Sequence, residues 1–225
     1  GTSASGRGGS VYVTVGSGDS GAGGDIVLAA GTSSLEAGGQ IYLSGGTSSV
    51  TTGGRVLIQS GFSSAQSSGA VGIRTADSSA GGVSGYMILS TGDAWNGNSG
   101  ALFVGSGSSA SGRGGSVYVT VGSGDSGAGG DVVFTAGGTS DSIATSVGGQ
   151  IYMSGGTSAS QTGGRVFIGS GVSTSKSSGA LGVVTADTGS AGVSGYMVLS
   201  TGTSKNGNSG SLYIGSGTAA SGRGG

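Results

Sequence analysis

One phrase recurs about every fifteen residues along this chain, and that repeat limits what the chain can fold into more than any single residue does. Cutting after the recurrent terminal Gly-Gly or Ser-Gly pair yields 14 units, from SVYVTVGSGDSGAGG at 10–24 to SLYIGSGTAASGRGG at 211–225. Eleven units have 15 residues. Two (70–85 and 180–195) have 16, and 131–149 carries four extra residues around 141–145. A longer period lies on top: residues 5–25 and 111–131 are identical, so a seven-unit block occurs twice. The organisation read from this is a partial unit at 1–9, a first block at 10–115 and a second at 116–225.

Each unit opens with an apolar residue at its second and fourth positions, then a small residue and Gly, a polar stretch, and a final Gly. A period of 2 in the apolar part argues strand rather than helix. One six-residue strand per unit cannot bury its own face, whereas stacked units can. The expected fold class is therefore all-β: a parallel β-solenoid (β-helix) of about 14 coils, 15 residues per coil, in two seven-coil blocks forming one continuous solenoid. Coils stacked about 4.8 Å apart would make a rod roughly 67 Å long. Gly at the seventh and last positions suits corners that need positive φ. The polar half of each unit reads as a thin polar strand or an irregular return.

The second column, for example Ile26, Ile41, Val56 and Ile151, is aliphatic throughout, and so is most of the fourth, with Leu28, Leu43, Ile58 and Val119. Both are expected to face a narrow interior. The third column lies between them and should face out. Its members are Tyr12, Val27, Tyr42, Leu57, Ile88, Phe103, Tyr118, Val133, Tyr152, Phe167, Val198 and Tyr213, with Gly72 and Gly182 at the remaining two units. An apolar stripe that long exceeds what monomers usually expose, so these twelve residues form the candidate lateral interface. The competing reading is that Tyr and Val simply favour an exposed sheet.

Composition closes off most chemistry. Among 225 residues there are 58 Gly and no Pro, Cys or His, and only 8% are charged. Without His or Cys, neither a catalytic triad nor a typical transition-metal site is available. The expectation is no enzyme, no cofactor and no metal. A net charge of −1 provides no electrostatic footprint for nucleic acid or an anionic membrane. No apolar run approaches the roughly 20 residues that span a bilayer. Asp77 and Asp93 share one template position in neighbouring units, and stacked coils would bring them to about 5 Å. The second block has Asp187 and Thr203 there, so solvated turn residues are the plainer reading. GAGGDIVL at 21–28 loosely matches a Ca²⁺-binding nonapeptide repeat, but its Asp returns only once per seven units. Arg7, Arg113 and Arg223 in the SGRGG turns, with Asp19 and Asp125 one unit later, read as surface ion pairs.

The phrases TGGRVLIQSG, TGGRVFIGSG, SSGAVGI and NGNSGSLYIGSG resemble the Gly/Ser/Thr-rich repeat regions of large secreted proteins of algae and related protists. That resemblance covers the whole chain and implies extracellular or cell-surface fibrous or adhesive material. Thr-bearing β-solenoids with coils of this length also resemble insect antifreeze proteins. Those display Thr-x-Thr on every coil, which no strand segment here contains. The resulting expectation is a structural protein forming an extracellular filament or sheath by coil stacking and lateral packing of rods. Its partners would be copies of itself, side to side and end to end, because the sequence starts and stops in mid-pattern as an excerpt of a longer array would. The alternative is a solenoid that binds a ligand, ice or polysaccharide, through a flat polar face.

Overall fold

In the computed structural model, which describes residues 1–4, 6–140 and 146–225, each repeat unit divides into two parts of different character. Positions one to six run extended. Positions seven to the end form a loop whose two ends meet. The backbone N–H of the terminal Gly donates to the carbonyl of the seventh-position Gly in unit after unit: Gly39 to Gly31 at 2.8 Å, Gly54 to Gly46 at 2.7 Å, Gly69 to Gly61 at 3.0 Å, Gly164 to Gly156 at 2.8 Å and Gly179 to Gly171 at 2.9 Å. Three other units close with a side chain instead. The sixth-position hydroxyls of Thr91, Ser106 and Ser216 donate to the carbonyls of Gly100, Gly115 and Gly225 at 3.1, 2.8 and 2.9 Å.

The loops have an internal brace. In TSSLEA the Oγ of Ser33 accepts from the N–H of Glu36 at 2.9 Å, and in TSSVTT the Oγ of Ser48 accepts from that of Thr51 at 2.9 Å. Ser63, Ser158 and Ser173 do the same for Gln66, Lys176 and Gln161 in their own loops, Ser158 serving Gln161 and Ser173 serving Lys176. All five serines hold the ninth position. A short hydroxyl that bonds nearby backbone competes with strand pairing and favours a turn. The polar half of the unit is therefore a self-closed turn, not a second strand.

The close approach of the loop ends explains the terminal glycine. A Cβ on Gly54 would lie 2.8 Å from the amide nitrogen of Gly46, and one on Gly24 would lie 2.4 Å from a methyl of Val15. Side-chain volume is excluded there by contact. Positive φ is not the reason, contrary to the expectation for corners: among the described residues only Gly81, Gly127 and Gly192 have it, and all three lie inside loops.

The parallel β-solenoid is not the architecture found. The described residues contain no strand and no helix, and none is buried. The β-helix of 14 coils, and with it the solenoid rod, is overturned by how the backbone spends its hydrogen bonds. In a solenoid those groups pair from one coil to the next. Here, among the described residues, every backbone bond between separate segments joins two ends of one unit. A loop that returns the chain to its own start brings no neighbouring strand alongside, so the extended segments stay single and the second and fourth columns enclose no interior. The surface area shows the scale of this. The chain exposes 22084 Å², where a globular protein of its 20.6 kDa would expose about 8,900 Å² and an extended chain about 30,000 Å².

The chain divides into two compact units, Gly1–Gly105 and Ser106–Gly225. The same unit structure, an extended segment followed by a closed loop, is present in both. The boundary falls inside the seventh repeat, between Gly105 and Ser106, one residue before its loop begins at Gly107.

Candidate functional site: the apolar face of the extended segments

Although no interior forms, the period-2 pattern survives as a difference between two faces. In the unit 40–54, Ile41 is 52% exposed, Leu43 70% and Tyr42 83%. That order, third position most exposed and second least, holds in every unit from 25 onward whose third position carries a side chain. The extended backbone accounts for it, since successive side chains point to opposite sides. Eleven of the twelve third-column residues thus lie on the more open face of their own segments, and in the first unit Val11 is more exposed than Tyr12.

A direct sign that first and third positions share a side comes from two equivalent tyrosines. The hydroxyl of Tyr42 donates to Oε1 of Gln40, and that of Tyr152 to Oε1 of Gln150. Each bond spans two residues along an extended segment, the spacing that puts side chains on one face. It also fixes each ring alongside its own backbone. Sequence reasoning overlooked these two pairs, although the QIY spelling at matched places in both blocks marks them.

The acidic candidates do not assemble. Asp77 and Asp93 are exposed and have no hydrogen-bond or ionic partner among the described residues, and stacking that would have joined them is absent. No group of three or more acidic side chains able to hold a metal ion occurs among the described residues. The SGRGG arginines Arg7, Arg113 and Arg223 are likewise exposed and do not pair with Asp19 or Asp125. No cavity opens among the described residues, and no helix among them is long and apolar enough to cross a membrane. The extra residues of 131–149, at 141–145, lie outside the described residues.

What the arrangement offers chemically is therefore surface. Side chains such as Tyr12, Phe103, Tyr118, Phe167 and Tyr213 present large apolar area to solvent, flanked by first- and fifth-position residues that are mostly polar. No protein-family model matches the chain, and comparison with curated proteins and with solved structures returned no match.

Proposed function

We propose that this chain is a structural protein whose copies associate side by side into an extracellular filament or sheath, the third-column residues supplying the contact. One observation carries the reading: the chain by itself buries none of its described apolar side chains. Burying a Val, Leu, Ile or Phe side chain is worth about 1.5–3 kcal/mol. Seven of the twelve third-column residues are of these types and the other five are Tyr, so cover supplied by another copy is a stabilisation that the chain does not provide for itself.

The loops fit the same role. They close on themselves through backbone and hydroxyl groups, and the third-column apolar side chains are carried by the extended segments. A near-neutral chain also lacks the self-repulsion that would oppose dense packing. Placement outside the cell belongs to this reading through the likeness of its Gly/Ser/Thr-rich phrases to secreted repeat regions.

Sedimentation of the purified chain over a range of concentrations, with electron microscopy of the same samples, tests the proposal. Association that grows with concentration and yields elongated or sheet-like particles is the expected result. Monomers at every concentration would overturn it. Replacing Tyr42 and Tyr152 with Ser should weaken association, because each removes an aromatic ring from the contact face.

A further inference from the structure

We propose that the chain carries two self-modification sites, Asn96 and Asn206, at which the backbone nitrogen of the following glycine attacks the side-chain amide and converts the asparagine to an aspartyl or isoaspartyl residue. The inference concerns two loops taken singly and is independent of any association between copies.

All four asparagines of the chain fall in two matching loops, which end NGNSG at 96–100 and at 206–210. Each loop has one asparagine followed by Gly, and one, Asn98 or Asn208, followed by Ser. Asn96 and Asn206 hold the eleventh position of their units, and Gly97 and Gly207 the twelfth. The chain bends at both places, and these four residues are exposed.

The twelfth position is the one that other loops hold. In five units its N–H donates to the ninth-position serine: those of Glu36, Thr51, Gln66, Gln161 and Lys176. In 86–100 the ninth residue is Ala94, which has no hydroxyl to accept that bond. In 196–210 it is Ser204, which makes no bond to Gly207 among the described residues. The amide nitrogens of Gly97 and Gly207 are therefore unheld, and so are the two asparagine side chains.

Glycine adds access. No Cβ crowds its nitrogen, and its backbone reaches conformations closed to other residues. Even a Cβ built on Gly97 would meet nothing within 4 Å, so the space around this peptide is open.

The reaction needs only water. The Gly97 amide gives its proton to water or hydroxide, and its nitrogen forms a bond to Cγ of Asn96. The Cγ–Nδ2 bond breaks, and the departing nitrogen takes up a proton and leaves as ammonia, so that a succinimide ring remains. Water then opens the ring at one of its two carbonyls. Opening at Cγ gives an ordinary aspartyl residue. Opening at the main-chain carbonyl gives the isoaspartyl link, in which the chain runs through the former side chain. Nothing is oxidised or reduced. Either product puts a carboxylate where a neutral amide stood, so a chain of net charge −1 becomes more negative at each site and gains self-repulsion as it ages.

Peptide mapping by mass spectrometry, on the purified full chain held at mildly alkaline pH, tests the assignment. The expected result is a gain of one mass unit at Asn96 and Asn206. It should run on the order of tenfold ahead of Asn98 and Asn208, whose serine neighbour carries a Cβ. Equal progress at all four asparagines, or none at Asn96 and Asn206, would overturn the proposal. Gly97→Ala and Gly207→Ala should each slow their own site by about the same factor. Alanine fits both places, since the nearest atom to a Cβ on Gly207 is Ser204 Oγ at 3.5 Å and neither glycine has positive φ. An unchanged rate in these variants would contradict attack by the glycine nitrogen.

A last arm moves the site into a braced loop. Leu35→Asn with Glu36→Gly writes the same pair into TSSLEA, where the twelfth N–H donates to Ser33 Oγ at 2.9 Å. The new asparagine should react about two- to tenfold more slowly than Asn96, the factor that one exposed hydrogen bond is worth. Adding Ser33→Ala should remove the delay. A braced asparagine that keeps pace with Asn96 would overturn the role given to the unheld nitrogen.

Discussion

The loop Gly31–Gly39 has nine residues and its counterpart in the second block, Gly137–Gly149, has thirteen, yet both close with the same backbone bond of 2.8 Å. Their lengths differ, and the way their ends meet does not. Closure is therefore a property of the junction, set by a small sixth residue, a seventh-position carbonyl and a terminal glycine. In 25–39 those are Ala30, Gly31 and Gly39, and in 131–149 they are Ala136, Gly137 and Gly149. A Cβ on Gly39 would stand 3.2 Å from that of Ala30, and one on Gly149 would stand 3.3 Å from that of Ala136, so the two junctions match in detail. Loop-closure entropy rises only slowly with length, which is why four added residues cost little once the ends are held.

The strongest way to break this equivalence is at the junction. Gly45→Val in the unit 40–54 places a side chain where the Gly54 carbonyl now lies, 2.2 Å from the position of its Cβ. The expected outcome is an opened loop, seen as loss of hydrogen-exchange protection at the Gly54 amide, with other units unchanged. Backbone clashes of this kind cannot relax by rotating a side chain, and the cost should reach about 1–3 kcal/mol. Removing the brace inside a loop should do less. Ser48→Ala takes away the acceptor of the Thr51 N–H, and a lost hydrogen bond of this exposed type is worth about 0.5–1.5 kcal/mol. Faster exchange at Thr51, with Gly54 only mildly affected, would show that brace and closure are separable. The smallest effect belongs to the loop interior. Deleting residues 141–144 should leave the exchange of the Gly149 amide within about twofold of its original rate, since the cost of closure changes only with the logarithm of length. A large change there would mean that the insertion takes part in closure.

Much of the local structure was legible before any coordinates. The repeat length, the place where extended segment gives way to loop, and the alternation that sets Tyr42 apart from Ile41 and Leu43 all follow from the spacing of apolar residues and glycines. From 25 onward the ordering of exposure follows that alternation wherever the third position carries a side chain, whereas in 10–24 Val11 is more exposed than Tyr12. What misled was the step from unit to stack. Ser33, Ser48 and Ser173 at the ninth position signalled a braced turn, and the Gly at seventh and last positions allowed the loop ends to touch. Those two local preferences jointly close the unit on itself, and a unit so closed does not hand its chain to a neighbouring strand. The candidate interface was legible as a row of residues, and its pairing with Gln40 and Gln150 was visible only once the tyrosine hydroxyls were placed.

By itself, the order of residues determined the repeat, the two-faced extended segments and the absence of His and Cys, because each depends on residue type and on neighbours at most a few positions away. Only the three-dimensional structure decided where the backbone hydrogen bonds go. A carbonyl such as that of Gly31 is open equally to an N–H of the next unit and to that of Gly39. In this protein it takes Gly39, at 2.8 Å. The bond to the nearer partner closes the shorter loop at the smaller entropic cost, and it leaves the apolar columns facing outward.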